Sequence, residues 1–168
     1  MFLHHGKRSE ALVMVSKWDV AHMKAANVYS QLSSAKRRQV GCVIVKDHRI
    51  ISIGYNGMPS GWDNECEYEG EYTSHAPWPN LITKPEVLHA ETNAIAKVAK
   101  SSESSRGSSL YTTDAPCLDC AKLIHQAGIV EVFYEEDYRD NSGLTFLEEC
   151  GITVTQMNFI EDSDYEPV

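Results

Sequence analysis

No stretch of this 168-residue sequence stays apolar for the roughly 18–20 residues that a membrane-crossing helix needs, which excludes a helical span. The opening MFLHHGKRSEALV lacks the long apolar core and the small-residue cleavage site of a secretory leader, so an intracellular, cytoplasmic protein is expected. Positive charge is scarce: 15 Lys and Arg stand against 24 Asp and Glu, a formal net charge of −9. So few cations do not make the broad basic face that a long phosphate backbone requires, and a nucleic acid polymer is not the expected partner. A small anion needs only a few local donors and stays compatible. Cysteine is sparse and odd in number, five in all, two of them in a CxxC. Without an export signal, that pattern favours thiols that bind metal or do chemistry over a disulfide framework. With 42% hydrophobic and 23% charged residues the chain is no candidate for general disorder, and its length suits a single domain over 1–168.

What the chain does contain is an alternation of helical and strand patterns around one irregular stretch. From Ser16 to about Ser33, Trp18, Ala21, Met23, Ala25, Val28, Tyr29 and Leu32 recur at helical spacing, with Ser16 as a cap. After the basic run Lys36-Arg37-Arg38, the β-branched content predicts two strands, Val40–Lys46 and Ile50–Gly54. The short Asp47-His48-Arg49 connection predicts that they form an antiparallel hairpin. Gly57 to Glu86 has no sustained period and carries Pro59, Pro77, Pro79 and Pro85; it reads as a long loop, partly packed through Trp62 and Trp78. Helices are predicted over Leu88–Lys100, Pro116–Gly128 and Gly143–Cys150, and strands over Ser109–Thr113, Val130–Tyr134 and Ile152–Met157. The acidic tail from Glu161 reads as frayed. This order argues for a mixed sheet flanked by helices on both faces.

The strongest chemical signal is His89-Ala90-Glu91 followed by Pro116-Cys117-Leu118-Asp119-Cys120. Cys117 and Cys120 lie one turn apart on one face at the start of a predicted helix, where thiolates are favoured. His89 opens another helix. A His/Cys/Cys set leaves one tetrahedral position open, as catalytic zinc requires, and Glu91 is placed to carry protons without binding the metal. H-x-E with P-C-x-x-C is the pattern of the zinc deaminases. Two other readings stay open: a redox CxxC, and a structural site closed by a fourth ligand from Cys42, Cys66 or His75. Cys42 and Cys150 are most simply small buried residues.

From Trp18 to Thr155 the sequence resembles the deoxycytidylate (dCMP) deaminases of the zinc-dependent cytidine deaminase superfamily. The motifs that carry the resemblance are WDVAHM, RRQVGCVIV, GYNGMPSG, HAETNAI, APCLDCAKLIHQAGIVEVFY and DYRD. It implies a three-layer α/β/α cytidine-deaminase-like fold with a mixed sheet of about five strands. It also implies hydrolysis of dCMP to dUMP and ammonia, supplying precursor for dTMP synthesis. Carried over by motif, His89, Cys117 and Cys120 are the zinc ligands and Glu91 the proton shuttle. The Ala90 N–H donates to the pyrimidine carbonyl, Asn56 holds the sugar hydroxyl, Val40 walls the base pocket, and Tyr138 stacks on the cytosine. Such stacking is worth about 1–3 kcal/mol. The resemblance further implies a hexamer activated by dCTP and inhibited by dTTP, with Mg2+ on the triphosphate and an effector site at Gly54, Tyr55, Asn56 and Gly57. Lys36, Arg37, Arg38 and Arg139 are the cations available for a phosphate. Asn56-Gly57 is also a good turn by composition, and Lys36-Arg37-Arg38 also reads as a solvated run. Thr92 and Ala115 depart from the family pattern, which usually has an apolar residue at the first position and a larger one at the second.

Overall fold

The computed structural model of the protein describes residues 15–70 and 80–157. Its elements run α1 (Lys17–Ser30), β1 (Gly41–Lys46), β2 (Arg49–Tyr55), β3 (Glu67–Glu69), β4 (Leu81–Thr83), α2 (Ala90–Ala99), β5 (Ser109–Asp114), α3 (Leu118–Gln126), β6 (Glu131–Glu136), α4 (Ser142–Glu149) and β7 (Thr153–Gln156). The five-stranded sheet has the order β2-β1-β5-β6-β7. Pairing is antiparallel at β2-β1-β5 and parallel at β5-β6-β7, the latter connected through α3 and α4. Alternate residues of β1 face opposite sides. Cys42 and Ile44 join a core with Ala90, Ala94, Ala121, Ile124 and Leu147 from α2, α3 and α4. Val43 and Val45 join Met23 and Ala26 of α1. Helices therefore cover both faces, giving the α/β/α layering expected from the sequence. Each fully buried aliphatic side chain contributes roughly 1.5–3 kcal/mol, so both layers are anchored by burial. No helix among the described residues is long and apolar enough to cross a membrane.

Helix α1 starts as its sequence predicts. Ser16 Oγ accepts from Asp19 N at 3.3 Å while Ser16 N donates to the Asp19 carboxylate at 2.7 Å, a reciprocal capping box. The buried stripe differs from the predicted one. His22, Met23 and Ala26 are buried, whereas Trp18, Val28 and Leu32 are 46%, 61% and 59% exposed. The face is selected by close approach at Gly41, where a Cβ would lie 2.0 Å from the Ala26 carbonyl oxygen. Trp18 instead stacks on His48 at 4.5 Å. The β1–β2 hairpin turns on Asp47 and His48, both at positive φ (50° and 59°), the handedness that matches strand twist.

Between Gly57 and Glu86, the described residues hold a strand pair that the sequence does not suggest. Glu67, Tyr68 and Glu69 pair antiparallel with Thr83, Ile82 and Leu81. Strands of this length are too short to show an alternation. Packing comes from Cys66 and Glu67, both buried, and not from Trp62, which is 58% exposed. His75, Pro77, Trp78 and Pro79, the opening residues 1–14 and the tail from Glu161 lie outside the described residues.

Gly54 makes on the other face the contact that Gly41 makes with α1: a Cβ there would lie 2.0 Å from Ala90 O and 2.7 Å from Ala94 N. Gly54→Ala is expected to lower stability by about 3 kcal/mol through overpacking, while Gly57→Ala, which points into open space, changes it by less than about 0.5 kcal/mol. Urea unfolding of the two variants checks the contrast, and equal midpoints would contradict it.

Candidate active site

Two helix starts converge at the carboxyl end of β5, beside the amino end of β1. His89 is the N-cap of α2 and Cys117 the N-cap of α3, both in extended backbone and neither using its side chain as a cap. Their side chains are thus free for other work. Cys120 follows one turn into α3, and Pro116 and Cys117 are held from behind by α4, where a Cβ on Gly143 would lie 2.1 Å from Pro116 O. His89 Nδ1 is 3.5 Å from Cys117 Sγ and 3.4 Å from Cys120 Sγ. All three donor atoms lie within 4.8 Å of one another, and no further His, Cys, Asp or Glu among the described residues joins the group. Nitrogen and sulfur held about 2.0 and 2.3 Å from one tetrahedral zinc ion lie about 3.5 Å apart, so the set fits that ion in donor type and spacing. Of the residues named for a closed structural site, Cys42 is buried in the core and Cys66 sits 3.5 Å from Ser34 Oγ. His75 is outside the described residues.

Electrostatics favour a thiolate at Cys117. Hydrogen bonds from Cys120 and then from His89 pull the Cys117 thiol down to about 4. The hydrogen bond to Cys117 raises the His89 imidazole above its ordinary value. Cys120, sharing its proton with Cys117 and buried, is pushed up. Glu91 is only 4% exposed, and burial pushes its carboxyl up to about 7. Its Oε2 lies 3.6 Å from Cys120 Sγ.

Above these groups opens a cleft of about 490 Å³. His89, Ala90, Glu91 and Cys117 line it together with Val40, Asn56 and Tyr138, so residues distant in sequence and expected around a substrate share one cavity. Asn56 is more than a surface group. Its Oδ1 accepts from Val40 N and its Nδ2 donates to Arg38 O, each at 2.8 Å, which pins Val40 at the wall. One Nδ2 hydrogen remains for another partner.

The four candidate phosphate cations divide. Arg37, Arg38 and Arg139 line the cleft. Arg38 Nε donates to the Asp114 carboxylate, Arg37 to Thr83 Oγ1 at 3.0 Å, and Arg139 to Tyr138 Oη at 3.2 Å, with its guanidinium 5.4 Å from that ring's centre. Lys36 is not in the cleft lining; its Nζ lies 3.9 Å from Glu65 and it borders a neighbouring depression with Glu135 and Glu136. Gly54, Tyr55 and Gly57 are likewise outside the cleft lining. Gly54 is covered by α2 and the Tyr55 ring lies 5.3 Å from Lys97 Nζ, so packing alone accounts for that glycine.

Two participants escaped the sequence reading, and Thr92, marked there only as a departure from the family pattern, proves to lie beside a ligand. Asp114 pairs with Arg38 at the cleft edge, and its place at a strand end two residues before Pro116 was the available signal. Thr92 Oγ1 lies 3.7 Å from Cys120 Sγ. Glu67, 8% exposed, accepts from Lys36 N and Arg37 N and so fixes the basic run's backbone; nothing in its local sequence marks it.

Residues 16–136 match the family described as the cytidine and deoxycytidylate deaminase zinc-binding region. The chain is similar to the deoxycytidylate deaminase of Saccharomyces cerevisiae, 36% identical over 157 residues that cover 93% of this chain and 50% of the yeast protein. It thus spans half the length of that relative. Similarity to the deoxycytidylate deaminase of Homo sapiens is 39% over 137 residues, covering 77% of this chain and 71% of the human one. Among solved structures, the dCMP deaminase from the cyanophage S-TIM5 in complex with dCMP and dUMP superposes with a TM-score of 0.77 at 43% identity, over 86% of this chain and 99% of that chain.

Removing one donor from so compact a set should abolish metal retention. Cys117→Ala is expected to purify with zinc far below the parent's content by elemental analysis, and an undiminished content would refute the ligand set.

Proposed function

The chain belongs to the cytidine and deoxycytidylate deaminase zinc-binding family, and from that premise we propose that it hydrolyses dCMP to dUMP and ammonia. The observation that carries the reading is a buried carboxylate, Glu91, set 3.6 Å from a sulfur of the His/Cys/Cys group at the floor of an open cleft. Zinc held by His89, Cys117 and Cys120 supplies the Lewis acidity that makes a water molecule nucleophilic near neutral pH. Glu91 takes the proton that this water gives up and delivers it to N3 of the cytosine, which makes C4 electrophilic as the oxygen adds there. Glu91 then carries the second proton to the exocyclic nitrogen, and the C4–N bond breaks to release ammonia. Proton transfer by one positioned group suits a side chain whose burial keeps both protonation states accessible.

The remaining residues bind and orient. The Ala90 N–H, at the start of α2, donates to the pyrimidine carbonyl; Val40 walls the base; Tyr138 stacks on it; the free Nδ2 hydrogen of Asn56 takes the sugar hydroxyl. Arg37, Arg38 and Arg139 surround the phosphate. The two ligand thiols need a reducing setting, which fits a cytoplasmic enzyme acting through one catalytic domain over 1–168. A homo-hexamer activated by dCTP with Mg2+ and inhibited by dTTP completes the reading, in keeping with the deoxycytidylate deaminases that the chain resembles.

Ammonia release tests it. Turnover is expected with dCMP and not with cytosine, cytidine or tRNA, rising with dCTP and Mg2+ and falling with dTTP. Preference for the free base or nucleoside would overturn the substrate, and indifference to both triphosphates would overturn the regulation. Glu91→Gln is expected to retain zinc while losing about 10²–10⁴ in kcat, since it keeps the shape but cannot shuttle protons. A variant with parental turnover would remove Glu91 from the mechanism.

A further inference from the structure

Thr92 lies in the first turn of α2, one residue beyond Glu91 and half-buried. Three polar side-chain atoms carried by the start of that helix surround the Cys120 sulfur: His89 Nδ1 at 3.4 Å, Glu91 Oε2 at 3.6 Å and Thr92 Oγ1 at 3.7 Å. Of the three, the Thr92 hydroxyl is the neutral donor that keeps its proton throughout. The Nδ1 lone pair of His89 is directed at the ion. The Thr92 hydroxyl carries a proton and turns freely about its C–O bond. Among the described residues, Cys120 Sγ is the one hydrogen-bond partner of Thr92 Oγ1, which is not turned back onto a carbonyl of its own helix.

We propose that Thr92 is a positioning residue of the zinc centre: its O–H donates to the Cys120 thiolate, holding that sulfur in place and taking up part of its charge. The inference rests on reading His89, Cys117 and Cys120 as the zinc set. Neighbours that hydrogen-bond to a metal ligand commonly alter metal affinity by about 10–100-fold when lost. Glu91 makes the role pointed here. Its Oε2 shares the same sulfur at 3.6 Å, and the hydroxyl on the adjacent residue supplies a second polar partner there without occupying the cleft floor.

The test uses Thr92→Val, which keeps the shape and removes the donor, and Thr92→Ser, which keeps the donor. Each full-length protein is stripped of metal and reloaded with Zn2+ or Co2+. Zinc affinity is read by competition with a chromophoric chelator, and the sulfur's charge by the thiolate-to-cobalt charge-transfer band. Thr92→Val is expected to weaken zinc by about tenfold and move the band to lower energy, with the metal-free melting temperature unchanged. Thr92→Ser is expected to bring both readings back towards the parent. Parental affinity and band in the Val variant overturn the proposal, as does a Ser variant that behaves like Val. Weaker zinc accompanied by a lower metal-free melting temperature and an unshifted band also overturns it, by assigning the side chain to packing. A parent that shows no cobalt–thiolate band overturns the ligand set and this proposal together.

Discussion

The meeting of two helix N-termini is the constraint on which the rest of the molecule depends. His89 and Cys117 are N-caps of α2 and α3, and their donor atoms come within 3.5 Å only if both helices start at the same height above the sheet. The sheet sets that height. Strand β5 runs directly into Ala115-Pro116-Cys117, and Ala115 N still donates to Glu136 O at 2.8 Å, which extends the β5–β6 pairing to the threshold of the ligand turn. On the other side, Gly54 lets α2 lie against β2 at backbone contact distance. Gly143 does the same for α4 against Pro116 and Cys117. Missing side chains at these places let three helices seat on the site, and positive partial charge at two helix starts then favours the thiolates gathered there.

The cleft above the metal-ligating group gathers cations in an otherwise acidic protein. Of the three guanidinium groups lining it, Arg38 is paired to Asp114 and Arg37 and Arg139 hydrogen-bond to neutral hydroxyls. These contacts restrain long side chains that would otherwise lose conformational entropy on meeting a ligand. The backbone beneath them is fixed separately, through Glu67 on Lys36 N and Arg37 N and through Asn56 on Arg38 O and Val40 N. A net charge of −9 thus coexists with a local cluster of cations whose geometry is set by acids and amides around it.

Much of this was legible in the sequence, for identifiable reasons. The strand and helix alternation is strong because buried strands such as β1 are almost wholly apolar and the later helices are closed by glycines at positive φ, Gly128 and Gly151. His89, Glu91, Cys117 and Cys120 are legible because metal chemistry restricts both residue type and spacing. The buried face of α1 was not, since Trp18, Val28 and Leu32 satisfy helical periodicity as well as Met23 and Ala26 do. What selects between them is a glycine on another element. The β3–β4 ladder was hidden by brevity, and Glu67 and Asp114 by the long-range nature of their partners. Asn56 illustrates the limit well. Tyr-Asn-Gly reads as a turn, yet the side chain instead clamps a strand entry 16 to 18 residues earlier.

Environment also separates carboxyl groups that composition treats alike. Glu91 and Asp114 both line the cleft. Asp114 is ion-paired with the Arg38 guanidinium, a partner that keeps its charge at any physiological pH, and so stands in a supporting place. Among the described residues Glu91 has no such cation beside it other than the imidazole of His89, whose Coulombic pull is smaller than the desolvation that raises the carboxyl to about 7. Binding that imidazole to a metal substitutes a larger positive charge a few ångströms away, which favours the carboxylate form. The same buried acid is therefore set between two opposing influences, an apolar surround that favours its protonated form and a cationic centre that favours its ionised one. A group balanced in that way is suited to accept and return a proton, as the shuttle proposed for it requires.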